Sequence, residues 1–274
     1  MPNYICITCG NQFRATAAPP ADCPVCQDER QYVNPDGQSW ILMDELEQTH
    51  HNALLPLEAG LAQIRTVPQF AIGQRALLVQ APGGNVLWDC LSLIDRAMVE
   101  AVEASGGISA LSASHPHMFG SIVEWSHAFG RAPVYLHRDF ERWVQRPDPV
   151  IEYWDGESLE LRAGVSLYRC GGHFRGSTVL HWPEGAGGQG VLLTSDTLHV
   201  TADRRYLGFM YSYPNYIPLS GPAVDRIVDT VMPLKFDRIY SHFHQREILS
   251  GAKEAVRQSR ERYMRAIGES SGGS

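Results

Sequence analysis

The segment Leu111-Ser-Ala-Ser-His-Pro-His117 places two histidines directly after a short apolar run. On extended backbone, side chains two residues apart point to the same side, and Pro116 disfavours a helical conformation for the residue before it. The segment therefore predicts a strand that runs into an extended loop, which presents both imidazoles to one site. A helix predicted over Ser121–Phe129, with Gly130 as its stop, follows. A strand, a ligand-bearing loop and a helix in this order are typical of a site at the edge of an α/β sheet.

Three further motifs each set a possible metal ligand just beyond an apolar, strand-like run. They are Cys170-Gly-Gly-His173, Leu192-Leu-Thr-Ser-Asp196 and Ile239-Tyr-Ser-His242-Phe-His244. Zinc favours imidazole and carboxylate ligands, and strand ends that lie side by side can bring them to one ion. Taken singly, each motif also has an ordinary explanation, because a loop histidine is usually solvated and Asp196 can cap a helical turn. The combination of motifs, rather than any one of them, predicts a metal site.

The bulk composition excludes several classes of protein. With 274 residues, 44% of them hydrophobic and 19% charged, the chain is that of a globular protein with one large domain and a small one. A net charge of -7 argues against broad nucleic-acid binding, which depends on basic surface. No apolar stretch approaches the roughly 20 residues that span a bilayer, and the start of the chain shows no secretory signal. We therefore expect a cytoplasmic protein whose partner is a small-molecule substrate, with neither nucleic acid nor membrane involved.

Four of the six cysteines form two C-x-x-C pairs, Cys6 with Cys9 and Cys23 with Cys26, separated by 13 residues. Two such turns can present four thiolates to one ion in a tetrahedron. Two disulfides or a redox-active pair are the alternatives, but neither explains why the pair occurs twice. Because so short a segment cannot build a sufficient core, its metal is predicted to be structural. A four-thiolate site suits zinc or iron, and iron would make it an electron carrier.

Two resemblances to known families follow from these motifs. The string Tyr4-x-Cys-x-x-Cys-Gly10, followed by Ala18-Pro-Pro-x-x-Cys-Pro-Val-Cys26, resembles the rubredoxin-like module of rubrerythrins and equally a zinc ribbon. From about Leu77 to His242 the order of motifs resembles the metallo-β-lactamase superfamily, whose hallmark is H-x-H-x-D-H, then a glycine-flanked His, an Asp after a strand, and a late His. Three stretches carry this resemblance: Leu78–Asp89 looks like the family's opening hairpin, Gly172–Ser177 like its G-H-x-x-G-S loop, and Val191–Asp196 like its v-L-x-x-G-D strand.

The resemblances imply a domain organisation and a fold. A four-cysteine module over residues 1–36 would precede an α/β domain over residues 37–268, with a flexible tail over residues 269–274. The large domain would be an αββα four-layer sandwich, in which two mixed sheets lie face to face between helices. Apolar and charged patterning predicts helices over Leu91–Ala104 and Glu247–Ile267.

The chain departs from the family pattern at two positions. Phe119 stands where the family has its Asp and Gly120 where it has its third His, and neither residue can bind a metal. In the family these two positions serve the second ion. The resemblance thus implies a reduced second site, with only Asp196 and His242, and a single ion in this domain. The positions that serve the first ion are all present, with Asp196 reaching them: His115, His117 and His173.

The resulting hypothesis is a metal-dependent hydrolase that uses a metal-bound hydroxide. One zinc would be structural at the cysteines and one catalytic in the large domain. Asp196 would complete the coordination or accept a proton, and His242 would donate to the leaving group or hold Asp196 in place. Without a second ion, substrates with an easy leaving group are favoured, such as small esters, thioesters or lactones. A degenerate, non-catalytic binding protein, or a redox protein with iron at the cysteines, are the alternatives.

Other residues near the motifs could in principle replace the lost ligands. Glu124 and His127 share one helix face and are interpreted as helix surface. His137 follows an apolar run and is the better candidate for an indirect role. The aromatic stretch Phe209–Tyr216 follows the Asp196 motif and is interpreted either as a wall of the substrate cleft or as a surface loop.

Overall fold

The computed structural model describes residues 1–268, and the predicted tail over residues 269–274 lies outside the described residues. The chain begins with a small cysteine module (residues 1–36), which has little regular structure. It contains β1 (Ile5–Cys6) and α1 (Pro24–Gln27). The elements that follow it directly are β2 (Trp40–Ile41) and α2 (Met43–Glu47). Because β1 pairs with β2, the strand that carries the first cysteine is joined to chain beyond residue 36. The division at that residue stays a prediction.

The first large sheet contains seven strands in chain order: β3 (His51–Glu58), β4 (Leu61–Val67), β5 (Arg75–Val79), β6 (Val86–Trp88), β7 (Ala110–Ser112), β8 (Val134–His137) and β9 (Ile151–Trp154). The strands from β3 to β6 are antiparallel, whereas those from β6 to β9 are parallel. Parallel neighbours need crossover connections, which contain α3 (Arg96–Ala104), α4 (Ile122–Ala128) and a 3-10 helix (Arg138–Trp143). Every residue of β5, β6 and β7 is buried, as expected at the centre of a covered sheet.

The second half of the chain forms the other sheet. Its elements are β10 (Ser158–Arg162), β11 (Val165–Arg169), β12 (Thr178–Trp182), the short turn α5 (Gly185–Gly188) and β13 (Val191–Leu193). Two small ribbons follow, made of β14 (His199–Val200) with β15 (Leu207–Gly208), and of β16 (Met210–Ser212) with β17 (Ile217–Pro218). The chain then forms α6 (Gly221–Val231), β18 (Arg238–Tyr240), β19 (Glu247–Ile248) and α7 (Ala252–Ala266). The six-stranded order is β10-β11-β12-β13-β18-β19, with β13 and β18 parallel.

Side chains that alternate along the strands show that the two sheets lie face to face. Val191 and Leu193 of β13 pack into one core with Leu77 and Trp88 of the first sheet, whereas Leu192 between them points the opposite way. There it joins the core under α6 and α7. On the other outer face, α3 and α4 pack against the first sheet. The predicted αββα four-layer sandwich is thereby confirmed.

Of the three predicted helices, α4 lies within the predicted range Ser121–Phe129, and the other two begin later than the sequence pattern indicates. α3 begins at Arg96 because the carboxylate of Asp95 accepts a hydrogen bond from the Met98 N–H at 2.8 Å and caps it. α7 begins at Ala252, since Glu247 and Ile248 pair with β18 instead. Among residues 1–268, no helix combines the length and the apolar character needed to cross a membrane.

Candidate metal centre

The strand directions bring the four motifs to one edge of the sandwich. β11, β13 and β18 all run the same way, because β11 and β13 are each antiparallel to β12 and β18 is parallel to β13. His173, Asp196 and His242 follow the ends of these strands. His115 follows β7 of the facing sheet. The convergence predicted from the sequence is therefore present in the fold.

Three imidazoles form the first cluster, defined as His115, His117 and His173 with Asp196. The ring centroids lie 4.8 to 5.4 Å apart, and the three rings are at most 3% exposed. Within the described chain, none of the three Nε2 atoms has a hydrogen-bond partner. One ligand atom from each of the four residues lies within 4.8 Å of the others. Buried nitrogens without partners cost free energy unless a cation meets them, so this donor set fits a zinc-type ion.

His117 and His173 are held in the protonation state that a metal ligand needs. The Nδ1 of His173 donates to the carbonyl of Tyr211 at 2.8 Å, which leaves its Nε2 as the atom with the free lone pair. Burial lowers the pKa of His173 to about 3 and that of His117 well below its usual value. Both rings are therefore neutral at physiological pH.

Asp196 lies between two sets of imidazoles. Its Oδ2 is 3.3 Å from His115 Nε2 and 3.8 Å from His173 Nε2, and its Oδ1 is 3.4 Å from His242 Nε2. Although burial alone would raise it, the imidazoles of His242 and His115 hold the pKa of this carboxyl well below its usual range. The residue before it, Ser195, has a φ of +48°, in the left-handed region that favours glycine. Asp196 is thus an ionised carboxylate that faces two clusters at once.

The H-x-H segment differs from its predicted extended conformation. His115 is extended, but Pro116, His117 and Met118 form a 3-10 helix. Proline is tolerated at the first position of a helix, where its missing N–H is not needed, so Pro116 starts this turn rather than preventing it. The two rings are nevertheless only 5.0 Å apart. The prediction of an extended loop was wrong, while the placing of both imidazoles at one site was right.

Neither of the two substituted positions of the motif offers a ligand atom to the site. Phe119 is buried against Phe140, with ring centroids 5.8 Å apart. Gly120 has a φ of +51°, and a Cβ there would lie 2.5 Å from the carbonyl oxygen of Leu91. A side chain at residue 120 would therefore clash with backbone, and a histidine cannot simply be restored at this position.

The sequence interpretation missed one histidine of the site. His199, at the start of β14, lies with its Nδ1 3.5 Å from Asp196 Oδ1 and its ring centroid 5.3 Å from that of His242. Asp196, His199 and His242 form the second cluster, whose ligand atoms also lie within 4.8 Å of one another. The spacing Asp-x-x-His was visible but matched no motif of the family. His242 faces this cluster, whereas His244 approaches Gln63.

A cavity of about 210 Å³ opens onto both clusters. Ile72 and Phe243 line it together with Tyr213 and Pro214 of the aromatic stretch, which therefore forms a wall of the cleft. The cysteine module contributes another wall through the segment 30–32. The candidate site is thus enclosed by both parts of the chain.

The cysteine module also forms hydrogen bonds with the two loops that carry the histidines of the first cluster. Asn11 donates its Nδ2 to the carbonyl oxygen of Pro116 at 3.0 Å, between the two histidines of the H-x-H pair. Arg30 donates to the carbonyl oxygen of His173 at 3.2 Å, and its guanidinium lies 3.8 Å from the centroid of the Phe174 ring. Asp28 fixes this guanidinium through two hydrogen bonds. The positions of three metal-ligand candidates therefore depend on the module.

The four module cysteines fit a metal and not a disulfide. Cys6 and Cys26 have their sulfurs 3.5 Å apart, and Cys9 and Cys23 have theirs 3.6 Å apart. A disulfide would need about 2.05 Å, whereas a tetrahedral zinc with bonds of about 2.3 Å separates its sulfurs by about 3.8 Å. All four thiols are free and buried, and all four sulfurs lie within 4.8 Å of one another.

The remaining candidates lie outside the site. Glu124 pairs with Arg146 at 2.6 Å, and His127 lies 3.2 Å from Asp148, as expected for a helix surface. His137 accepts from the Asp139 N–H through Nδ1, and its Nε2 lies 3.2 Å from the Gly156 carbonyl oxygen. Both nitrogens of His137 are thus engaged by its own neighbourhood, which argues against an indirect role in the site.

Comparison with known proteins gives one relative in sequence and several in fold. The chain is 46% identical over 269 residues to the uncharacterized protein YmaE of Bacillus subtilis (strain 168), with 97% of each chain covered. No family model matches the chain. A B3 metallo-β-lactamase with an active-site glutamic acid is 20% identical, with 80% of this chain and 89% of that chain covered and a TM-score of 0.52. The metallo-β-lactamase FIM-1 from Pseudomonas aeruginosa, in its mono-zinc form, is 14% identical, with 78% and 96% covered and a TM-score of 0.57. These similarities in structure confirm the predicted metallo-β-lactamase fold.

The lowered histidine pKa values give the metal-free protein a defined dependence on pH. Burial lowers the pKa of His173 and of His242 to about 3, below the value of about 6.5 for an unfolded chain. Between these values the unfolded state binds more protons, so the stability present above about pH 6.5 should be lost as the pH falls toward 3. Each group contributes up to about 1.4 kcal/mol per pH unit in this window.

Denaturant unfolding in the presence of chelator, at several values between pH 7 and pH 5, measures this dependence. His173→Gln should make the slope shallower, while the same substitution at the exposed His51 should leave it unchanged. Equal slopes for the parent protein and His173→Gln would contradict the assignment.

Asn11 should support metal binding without being a ligand. Asn11→Ala leaves the buried Pro116 carbonyl without its donor, which should lower the free energy of unfolding by about 1–3 kcal/mol and weaken metal retention by the first cluster. Asn52→Ala is a matched control, because Asn52 donates to the carbonyl of Leu93 at 3.0 Å, away from the ligands. Both variants should lose stability, but only Asn11→Ala should bind zinc more weakly in a chelator competition. Equal zinc affinities would refute the coupling.

Proposed function

We propose that this chain, which belongs to the same family as YmaE of Bacillus subtilis and has the metallo-β-lactamase fold, is a metal-dependent hydrolase of a small ester, thioester or lactone. One observation carries the proposal. Three buried imidazoles hold unpartnered Nε2 atoms close to an ionised carboxylate, and two members of this set, His117 and Asp196, line a cavity. Such a set is costly without a cation and serves hydrolysis with one.

His115, His117 and His173 would hold the ion, with Asp196 as the fourth protein group. Zinc bound there would supply a Lewis acid and a water ligand with a pKa of about 7. Neutral imidazole ligands would leave a net positive charge at such a centre, which suits the polarised oxygen of an acyl group.

Asp196 would supply the anionic ligand of the site. Its carboxylate stays ionised, since the imidazoles around it hold its pKa low. Its Oδ2 faces the first cluster and would complete the coordination of an ion there. His242 lies on the opposite side of the carboxylate, with its Nε2 3.4 Å from Oδ1, and keeps it oriented.

The cavity favours a small, uncharged acyl compound. Its volume of about 210 Å³ is below the roughly 300–1,000 Å³ of pockets for drug-sized ligands. Tyr213, Pro214 and Phe243 give it apolar walls. Arg30 is the charged side chain nearest to serving as an anion receptor, but Asp28 already neutralises it at 2.6 Å. Esters, thioesters and lactones fit these limits better than large or anionic substrates.

A non-catalytic binding protein is the second candidate. The loss of the Asp and the third His of the family motif, replaced by Phe119 and Gly120, favours it. In that case the metal would bind at the first cluster and no member of a substrate panel would be hydrolysed. A redox role would instead require iron at the cysteines, and the purified protein would then be red rather than colourless.

His115→Ala tests the hydrolase proposal. The variant should lose the metal of the first cluster and at least about 100-fold in turnover of a panel of chromogenic esters and thioesters. The metal of the cysteine module should remain. His181→Gln is a control at a buried histidine whose Nε2 contacts the Lys235 carbonyl, outside the site, and should stay active. Retained turnover in His115→Ala with an undiminished metal content would contradict the proposal.

A further inference from the structure

The second cluster has features that the first cluster does not explain. The Nδ1 of His199 is buried and, in the part of the chain that the structure describes, has no hydrogen-bond partner. It lies 3.5 Å from Asp196 Oδ1 without the geometry of a hydrogen bond. The Nε2 of His242 approaches the same oxygen at 3.4 Å. Two imidazole nitrogens therefore aim at one carboxylate oxygen.

The carboxylate of Asp196 divides its oxygens between the clusters. Oδ2 is near His115 and His173, whereas Oδ1 is near His199 and His242. A carboxylate that presents one oxygen to each side can bind two cations at once. Two imidazoles and a carboxylate oxygen are the protein ligands of several open zinc sites.

We propose that Asp196, His199 and His242 form a second divalent-cation site, in which His199 supplies a ligand that Phe119 and Gly120 cannot. With this site, the large domain would hold two ions, where the sequence predicts a single one. The ligand comes from β14, in the segment that follows the Asp196 strand, and not from the loop after β7. The Asp and the third His of the family motif are absent, and His199 would replace a lost ligand from another part of the chain.

The position of the second cluster on the cavity would leave a bound cation accessible to substrate. Asp196, His199 and His242 all line the cavity, so coordination positions left open by three protein ligands face the space for substrate. The side chain of His199 is 18% exposed, in contrast to the buried rings of the first cluster. We therefore expect this site to bind its ion more weakly than the first cluster, which has four protein groups.

A purely positioning role is the competing explanation. His199 and His242 would then only orient Asp196, and no ion would bind between them. The two explanations differ in the number of ions per chain, whatever the catalytic activity. Metal content thus separates a failure of this inference from a failure of the proposed hydrolase function.

The experiment counts zinc on the full-length protein after equilibrium dialysis against a series of free zinc concentrations. The parent chain should bind one equivalent at the cysteines, one at the first cluster and a third, weaker one at the second cluster. His199→Phe should lose the third equivalent, with its dissociation constant raised by more than the roughly 100-fold caused by loss of an indirect support. His199→Asp, which restores an oxygen ligand, should regain it.

His244→Phe is the matched control, because His244 is near in sequence but contacts Gln63 instead of the cluster. It should bind three equivalents, and thermal unfolding should confirm that all variants are folded. Cobalt substitution gives a second readout, since two ions that share Asp196 should show magnetic coupling that is absent in His199→Phe. A parent chain that saturates at two equivalents, or an unchanged third equivalent in His199→Phe, would overturn the inference.

Discussion

The interaction on which the site depends is the burial of the Asp196 carboxylate among imidazoles. A carboxylate that is 7% exposed is costly unless positive charge compensates it. Burial lowers the pKa values of His117, His173 and His242, so these three rings are neutral and cannot supply that charge permanently. A divalent cation resolves both problems, since it pairs with the carboxylate and occupies the free nitrogen lone pairs. This electrostatic demand for a cation, more than any single distance, supports the interpretation of the histidine clusters as metal sites.

The fold meets this demand by bringing distant parts of the chain to one edge. Buried strands of both sheets end there, and the alternation along β13 and β18 anchors the loops that follow them in two separate cores. Arg75 links the sheets at the same place, with its guanidinium donating twice to the carbonyl of Ser241, next to His242. The cysteine module adds a second support behind the H-x-H loop through Asn11. The contacts of the module thus extend from its four cysteines to the loops that carry the candidate ligands.

Much of this arrangement could be predicted from the sequence, because strand ends followed by ligands are a local pattern. The four-layer fold and the convergence of His115, His173 and Asp196 follow from such patterns combined with the family resemblance. The 3-10 turn at Pro116 could not be predicted, since proline is compatible both with an extended loop and with the start of a helix. His199 was missed because its role arises from the path of the chain after Asp196, and the contacts of Asn11 and Arg30 with the ligand loops join residues more than a hundred positions apart.

X-ray absorption at the zinc edge of the purified full-length protein tests the central claim most directly. The account predicts two kinds of zinc environment in one chain, with sulfur neighbours at about 2.3 Å from the cysteine module and nitrogen or oxygen neighbours at about 2.0 Å from the histidine clusters. A spectrum described by sulfur neighbours alone, in protein prepared with excess zinc, would contradict it.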